Sequence, residues 1–268
     1  MNAETPVAEF RDVTFAYPSS DSAVFSGFSG ILPGGLVSLV GTNGSGKSTL
    51  MLLAAGRLLP DSGTVALLGR DTRLFADEED RNRFASFIYQ NMEFETEDPL
   101  GLVLEQVYAG GEHPAKGSGF LEETIEAFEL RSLSLRHLSK LSKGETQRAL
   151  LAFSALYGSR VVFMDEPLFA MEERQKSRAL DFFRSYAGRT GASVCVSLHE
   201  LELTRGFADV VLLFKRDRTI ELGSPAEVLT DMALEAAYGV PAAMLKQKER
   251  LDRTRLEEEA ELLAHPHG

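Results

Sequence analysis

The sequence predicts an α/β domain with a largely parallel sheet covered on both faces, and three observations carry that expectation. Short apolar strand-like runs recur at 36–40, 161–164, 193–198 and 209–214. Helix-like stretches separate them, and strands buried on both faces read as continuous apolar runs rather than alternating ones. The first run also passes straight into a glycine-rich loop and then a helix, which is the order in which a phosphate-binding loop is built.

Each element has a local reason. VAEFRDVTFAY at 7–17 spaces β-branched and aromatic residues through a strand. STLMLLAAGRLL at 48–59 is apolar almost all round, the mark of a helix packed on a sheet. PDSGTVALLG then reads as a turn and a further strand. From about 91 to 141 the pattern changes to charged and flexible stretches around LEETIEAFEL, an amphipathic helix with Leu121, Ile125, Phe128 and Leu130 as its apolar members. This region reads as a mostly helical lobe inserted into the main body. Helices are expected over about 144–158 and 173–187, and a terminal hairpin arm at 218–223. Ser224 and Pro225 suit the cap and first position of a short helix. The organisation expected is one domain over 1–240, followed by a charged helical extension over 241–268. There Arg253 with Glu257, and Arg255 with Glu259, support an exposed helix.

Composition narrows the possible functions. Of 268 residues, 44% are hydrophobic and 25% charged, as in ordinary globular proteins. The formal net charge of −12 argues against nonspecific nucleic-acid binding, which needs a basic surface. Cys195 is the only cysteine, so no intrachain disulfide is possible, and its apolar setting reads as a buried structural thiol. MNAETPVAEF lacks a basic region followed by an apolar stretch, so no signal peptide is expected. Nothing approaches 18 consecutive apolar residues, so the chain is not expected to span a bilayer.

The strongest chemical signal is GTNGSGKST: Gly41, Thr42, Asn43, Gly44, Ser45, Gly46, Lys47, Ser48 and Thr49. Small residues let backbone N–H groups turn inward around phosphates, and the helix that follows adds unpaired donors and a favourable dipole. Lys47 is expected to reach the β- and γ-phosphates and the Ser48 hydroxyl to ligate Mg²⁺. VVFMDEP places two carboxylates at the C-terminal end of an apolar strand, where open α/β sheets bind ligands. Asp165 is the expected partner of the Mg²⁺ shell, and Glu166 is free to polarise an attacking water. Read alone, Tyr17 is a sheet or surface aromatic, Gln90 an ordinary polar residue and His199 a hydrogen-bonded core histidine.

In their order, these residues make the sequence similar to the nucleotide-binding subunits of ABC transporters over about residues 7–240. GTNGSGKST looks like the family's phosphate loop, and Gln90 in FIYQN like the glutamine that follows the core sheet. LSKGETQR at 141–148 resembles the signature, His199 the switch histidine, and Tyr17 the aromatic that stacks on adenine. The resemblance implies a P-loop NTPase with an ABC-type core sheet and an inserted helical subdomain over about 91–141. It implies ATP and Mg²⁺ as cofactors, with Glu166, His199, Gln90 and Lys47 catalytic and with Ser48, Gln90 and Asp165 around the metal. It also implies that two subunits pack head to tail, so that Ser142 and the backbone around Gly144 meet the ATP held by the other subunit.

The partners implied are a second nucleotide-binding subunit, most simply an identical one, and separate transmembrane permease subunits. A substrate-binding protein would act through the permease, and no direct nucleic-acid contact is expected. The implied location is cytoplasmic and peripheral, on the inner face of the cell membrane. SPAEVLTDMALEAAYGVPA is similar to the tail of importer ATPases for iron chelates, haem or cobalamin. Two other readings are a soluble ABC-type mechanoprotein acting on nucleic acid or ribosomes, and a regulatory ATP-binding module with low turnover. The first would call for a tandem ATPase domain, a long coiled-coil insertion or a basic surface. The second draws on departures from the family pattern. Lys143 and Glu145 stand where the signature commonly has glycine and glutamine, and Glu172 stands at an aspartate position after PLFAM.

Overall fold

Strands that are apolar on both faces must lie inside a layered body, because neither face can meet water. The structure is a computed structural model and describes residues 6–20, 22–89, 92, 96–112, 119–245 and 247. The first part of the chain forms β1 (Ala8–Phe15), β2 (Phe25–Leu32), β3 (Leu36–Gly41), α1 (Lys47–Ala54), β4 (Ser62–Leu67) and β5 (Arg70–Asp71). Next come α2 (Glu78–Phe84), β6 (Ala85–Ile88), α3 (Leu100–Gly110), α4 (Phe120–Ala127), α5 (Lys143–Tyr157) and β7 (Val161–Asp165). The remainder is α6 (Glu173–Thr190), β8 (Ser193–Ser197), α7 (Leu201–Phe207), β9 (Val210–Phe214), β10 (Ile220–Gly223), α8 (Pro225–Val228) and α9 (Asp231–Tyr238).

The central sheet runs β10-β9-β3-β8-β7-β6. All its pairings are parallel except that of β10, the hairpin arm, with β9. Alternate strand residues feed two cores. Val162, Met164, Val194, Val196, Val211 and Leu213 join the helices α3–α9 on one face. Phe163, Cys195, Leu212 and Phe214 join α1 and a second sheet on the other. That second sheet, β2-β1-β4-β5, is wholly antiparallel.

Several features differ from the sequence reading. The helix expected over 48–59 ends at Ala54, because Gly56 turns left-handed at φ 65° and Arg57 N bonds back to Leu52 O at 2.8 Å. Strand β2 and the separate antiparallel sheet were not anticipated. FSGFSGIL is exposed along most of its length and so carries no buried apolar run. The Ser224 cap is as expected, with Glu227 completing a capping box. The helix expected over 241–268 falls almost wholly outside the described residues. No helix among the described residues is long and apolar enough to cross a membrane.

The inserted lobe comprises α3, α4 and two short 3-10 turns at 131–133 and 138–140. Backbone bonds fasten its ends together: Leu100 N donates to Arg136 O and Gly101 N to Ser134 O, both at 2.9 Å. Of the apolar members expected on its amphipathic helix, Ile125, Phe128 and Leu130 are buried and Leu121 only partly so. Phe128 meets Phe182 edge-on at 4.9 Å, with Phe183 and Tyr186 beyond. These rings bolt the lobe to α6, and edge-to-face pairs add to the area they bury. Phe128→Ala is therefore expected to cost about 3–5 kcal/mol, seen as a lower urea midpoint. An unchanged midpoint would mean that the lobe is not held through this ring.

Candidate active site

Parallel strands deliver their C-terminal ends to one edge of the sheet, and there β3, β7 and β8 bring together residues far apart in sequence. At the end of β3 the chain turns through residues 41–46. Gly46 sits at φ 102°, a left-handed conformation open to glycine, and sends the chain directly into α1. Lys47, the first residue of α1, is 5% exposed. Its ammonium donates to the carbonyls of Gly41 at 2.8 Å and Thr42 at 3.0 Å. Burial lowers its pKa from the ordinary lysine value, and the opposing charges of Glu166 and Asp165 only partly offset this. The Ser45 hydroxyl is buried without a hydrogen-bond partner among the described residues, an orphaned polar atom of the kind a bound anion can satisfy. A cleft of about 420 Å³ opens beside the loop, lined by Thr42, Asn43, Gly44 and Ser45 together with Val24 and Phe25.

The facing carboxylates are fixed by a residue that the sequence reading missed. Asp165 ends β7 and lies opposite Ser197, which ends β8. Ser197 Oγ donates to Asp165 Oδ1 at 2.7 Å and accepts from Glu166 N at 2.9 Å. Glu166 is held at φ 49°, a left-handed backbone that costs a non-glycine residue roughly 1–3 kcal/mol and clusters at functional sites. His199 Nε2 lies 2.7 Å from Glu166 Oε1, with the Glu166 side chain 20% exposed and the imidazole 41% exposed. Glu200, beside His199, accepts from the buried Lys176 ammonium at 2.9 Å, and Glu173 at the start of α6 does so at 2.7 Å. Burial pulls the Lys176 pKa down, but the two carboxylates outweigh it and leave the group raised. A hydroxyl two residues before His199 in SVCVSLH was the available signal for Ser197, but only the strand register gives it meaning.

Tyr17 lies beyond β1, with its ring edge against Phe15 at 5.1 Å between centroids. Its hydroxyl is 3.1 Å from Thr49 Oγ1, so the phenol is tied to the first turn of α1. Ser48 is half-buried in the same turn. Gln90, two residues past β6, lies outside the described residues.

Ser142 and Gly144 occupy a second cluster, at the start of α5. Helix α5 packs on α3, α4, β6 and α6, whereas α1 packs on β3, β4 and β8. Ser142 caps α5: its Oγ accepts from Glu145 N at 3.3 Å, while Ser142 N donates to Glu145 Oε2 at 2.7 Å. Arg136 donates to Glu145 Oε1 at 2.7 Å. The bond from Ser142 N, helped by Arg136, holds the Glu145 carboxyl below the usual carboxylate range. Glycine is required at 144, since a Cβ there would lie 2.6 Å from Ala170 O. The loop that leaves Glu166 thus lies directly against the signature turn.

This edge of the sheet, with a lysine-bearing glycine turn facing two carboxylates, defines a P-loop nucleotide-binding protein. The family model described as ABC transporter matches residues 29–169. The hemin import ATP-binding protein HmuV of Pseudomonas entomophila is 31% identical over 226 residues, covering 81% of this chain and 87% of that protein. Its namesake in Rhizobium meliloti is 32% identical over 223 residues, covering 77% and 82%. Among solved structures, an ATP-binding subunit of an ABC transporter superposes with a TM-score of 0.74 at 19% identity, covering 91% of this chain and 99% of that one. The chain belongs to the ABC transporter family and is an ATP-binding, ATP-hydrolysing subunit.

Ser197→Ala tests the organising hydroxyl. The change strands Glu166 N–H and one oxygen of Asp165, so a loss of about 1–3 kcal/mol in stability is expected. ATP turnover should fall about tenfold or more, because each 1.4 kcal/mol of lost positioning in the transition state is a factor of ten. Steady-state hydrolysis together with thermal melting checks both. Full turnover in the variant would remove Ser197 from the site.

Proposed function

We propose that two copies of this chain close head to tail around ATP and drive import through separate membrane subunits. The observation that carries the reading is Glu166, held in a strained backbone by Ser197 beside His199 and facing the charge of Lys47. A carboxylate fixed in this way can orient and polarise a water, and backbone strain of this kind clusters at functional sites. Lys47 and the amides of residues 41–49 would hold the phosphates, and Tyr17 would offer its ring to adenine. His199 would contact the γ-phosphate or steady Glu166.

The donors at the edge suit Mg²⁺. The Ser48 hydroxyl and the Asp165 carboxylate are hard oxygen ligands, and Mg²⁺ commonly takes one or two carboxylates with substrate phosphates rather than a full protein cage. Gln90 would complete the protein donors. Bound there with ATP, the ion supplies neutralisation of phosphate charge.

Ser142 and Gly144 serve the opposite subunit in this reading, closing over its γ-phosphate with preorganised donors and excluding water. The domain comprises residues 1–240, with the helical lobe at about 91–141 as the docking side for the permease and 241–268 as an extension. The subunit would sit on the cytoplasmic face of the membrane. The cargo is proposed to be an iron chelate, haem or cobalamin, on the strength of the hemin-import relatives and of the stretch 224–242.

Glu166→Gln keeps the shape and removes the charge. Hydrolysis is expected to fall by about 10²–10⁴-fold, the usual contribution of a positioned general base, while ATP binding persists and a closed dimer accumulates. Normal steady-state turnover would sink the assignment. Mixing Ser142→Arg with Lys47→Ala subunits tests the shared site. Neither variant should turn over alone, and the verified heterodimer, which carries one intact composite site, should recover part of the rate. Loss of activity that persists in that heterodimer would argue for two self-contained subunits.

A further inference from the structure

Glu129 is a point at which the inserted lobe grips both α5, which carries the signature turn, and α6, which follows the loop after Glu166. It follows α4 and adopts φ 54°, a left-handed backbone uncommon for a residue with a long side chain. Its carboxylate is shared three ways. Oε2 accepts from Gln175 Nε2 at 3.0 Å and from Arg148 Nη1 at 3.4 Å, and Oε1 accepts from Arg178 Nη1 at 3.2 Å. The same Arg148 nitrogen also donates to the carbonyls of Phe128 at 2.9 Å and Glu129 at 3.1 Å, and Arg178 Nη2 donates to Glu126 O at 2.9 Å. The two guanidinium groups thus hold carbonyls in the last turn of α4 and just beyond it, where a cation is favoured.

These contacts run onward to the site. Arg148 belongs to α5, whose cap is Ser142. Gln175 belongs to α6, and its Oε1 accepts from Glu172 N at 3.4 Å, at the end of the loop that begins at Glu166. That loop returns to α5 through Ala170 O, packed against Gly144. A closed circuit results: Glu129 to Arg148 and α5, Gly144 to Ala170, Glu172 to Gln175, and back to Glu129.

We propose that Glu129 is a positioning residue, which holds the signature turn at one fixed spacing from the loop after Glu166 so that the turn can meet the partner's ATP. The inference rests on the shared-site reading. It goes beyond that reading by naming a residue outside the site described above. A strained backbone kept for a carboxylate with three donors on two helices is the expression of that role.

Glu129→Gly separates positioning from a merely local turn. Glycine relieves the left-handed strain and removes the carboxylate. If Glu129 only shapes a turn, the variant should melt at the same or a higher temperature and hydrolyse ATP normally. If it positions the two elements, kcat and ATP-driven dimerisation should fall about tenfold, while binding of a fluorescent ATP analogue to the single subunit stays unchanged. Glu129→Gln, which keeps one acceptor and the side-chain length, should recover part of the loss. Ser142→Arg is measured alongside. Hydrolysis unaffected by Ser142→Arg would take down the shared-site reading and this inference with it. Hydrolysis lost in Ser142→Arg but intact in Glu129→Gly would overturn the role of Glu129 alone.

Discussion

A buried ammonium sets the terms for this edge of the sheet. Lys47 is almost fully removed from water, and an unpaired charge so placed would cost several kcal/mol after relaxation. The structure surrounds it with negative ends: the carbonyls of Gly41 and Thr42, and the charges of Asp165 and Glu166. Each of these depends on something else. The carbonyls face inward because the loop turns tightly at glycines. The carboxylates face it because β7 lies one strand beyond β8 in a parallel sheet, which brings the end of β7 to the same edge as the end of β3. A phosphate delivered here meets a cation already stripped of water, where charge interactions are stronger than in bulk solvent.

Holding two carboxylates beside one another needs its own device, since like charges repel. Ser197 meets part of that need, giving a hydrogen to Asp165 while accepting one from the backbone of Glu166. It therefore fixes the direction of one carboxylate and the backbone that aims the other. His199 then reaches the Glu166 carboxylate from the loop that follows β8. Asp165, Glu166 and His199 thus emerge from two adjacent strand ends, and their geometry follows from the register of β7 and β8.

Much of this was legible before any coordinates. The glycine loop, the carboxylates after VVFM and the apolar strand runs are local patterns, and local patterns survive in sequence. Ser197 was not legible, because its role exists only when residues 32 apart pair across β7 and β8. Strand β2 was obscured for another reason. Lying mostly exposed at the edge of the antiparallel sheet, it needs little apolar content and shows neither alternation nor a buried run. Glu129 was hidden by the ordinary look of an acidic residue at a helix end, since a left-handed φ leaves no trace in composition.

The departures from the family pattern find physical homes in the same way. Glu145 accepts from Ser142 N and from Arg136, completing the cap of α5 with a charge that a helix N-terminus favours. Glu172 serves as the residue before α6, where its N–H meets Gln175. Lys143 is exposed at the first position of α5. Lys143 and Glu145 carry opposite charges in the first turn of α5. The two substitutions are opposite in sign, so together they leave the formal charge of the turn where glycine and glutamine would leave it. Changing either one alone would shift that charge by a full unit at the helix end, where the macrodipole responds to charge.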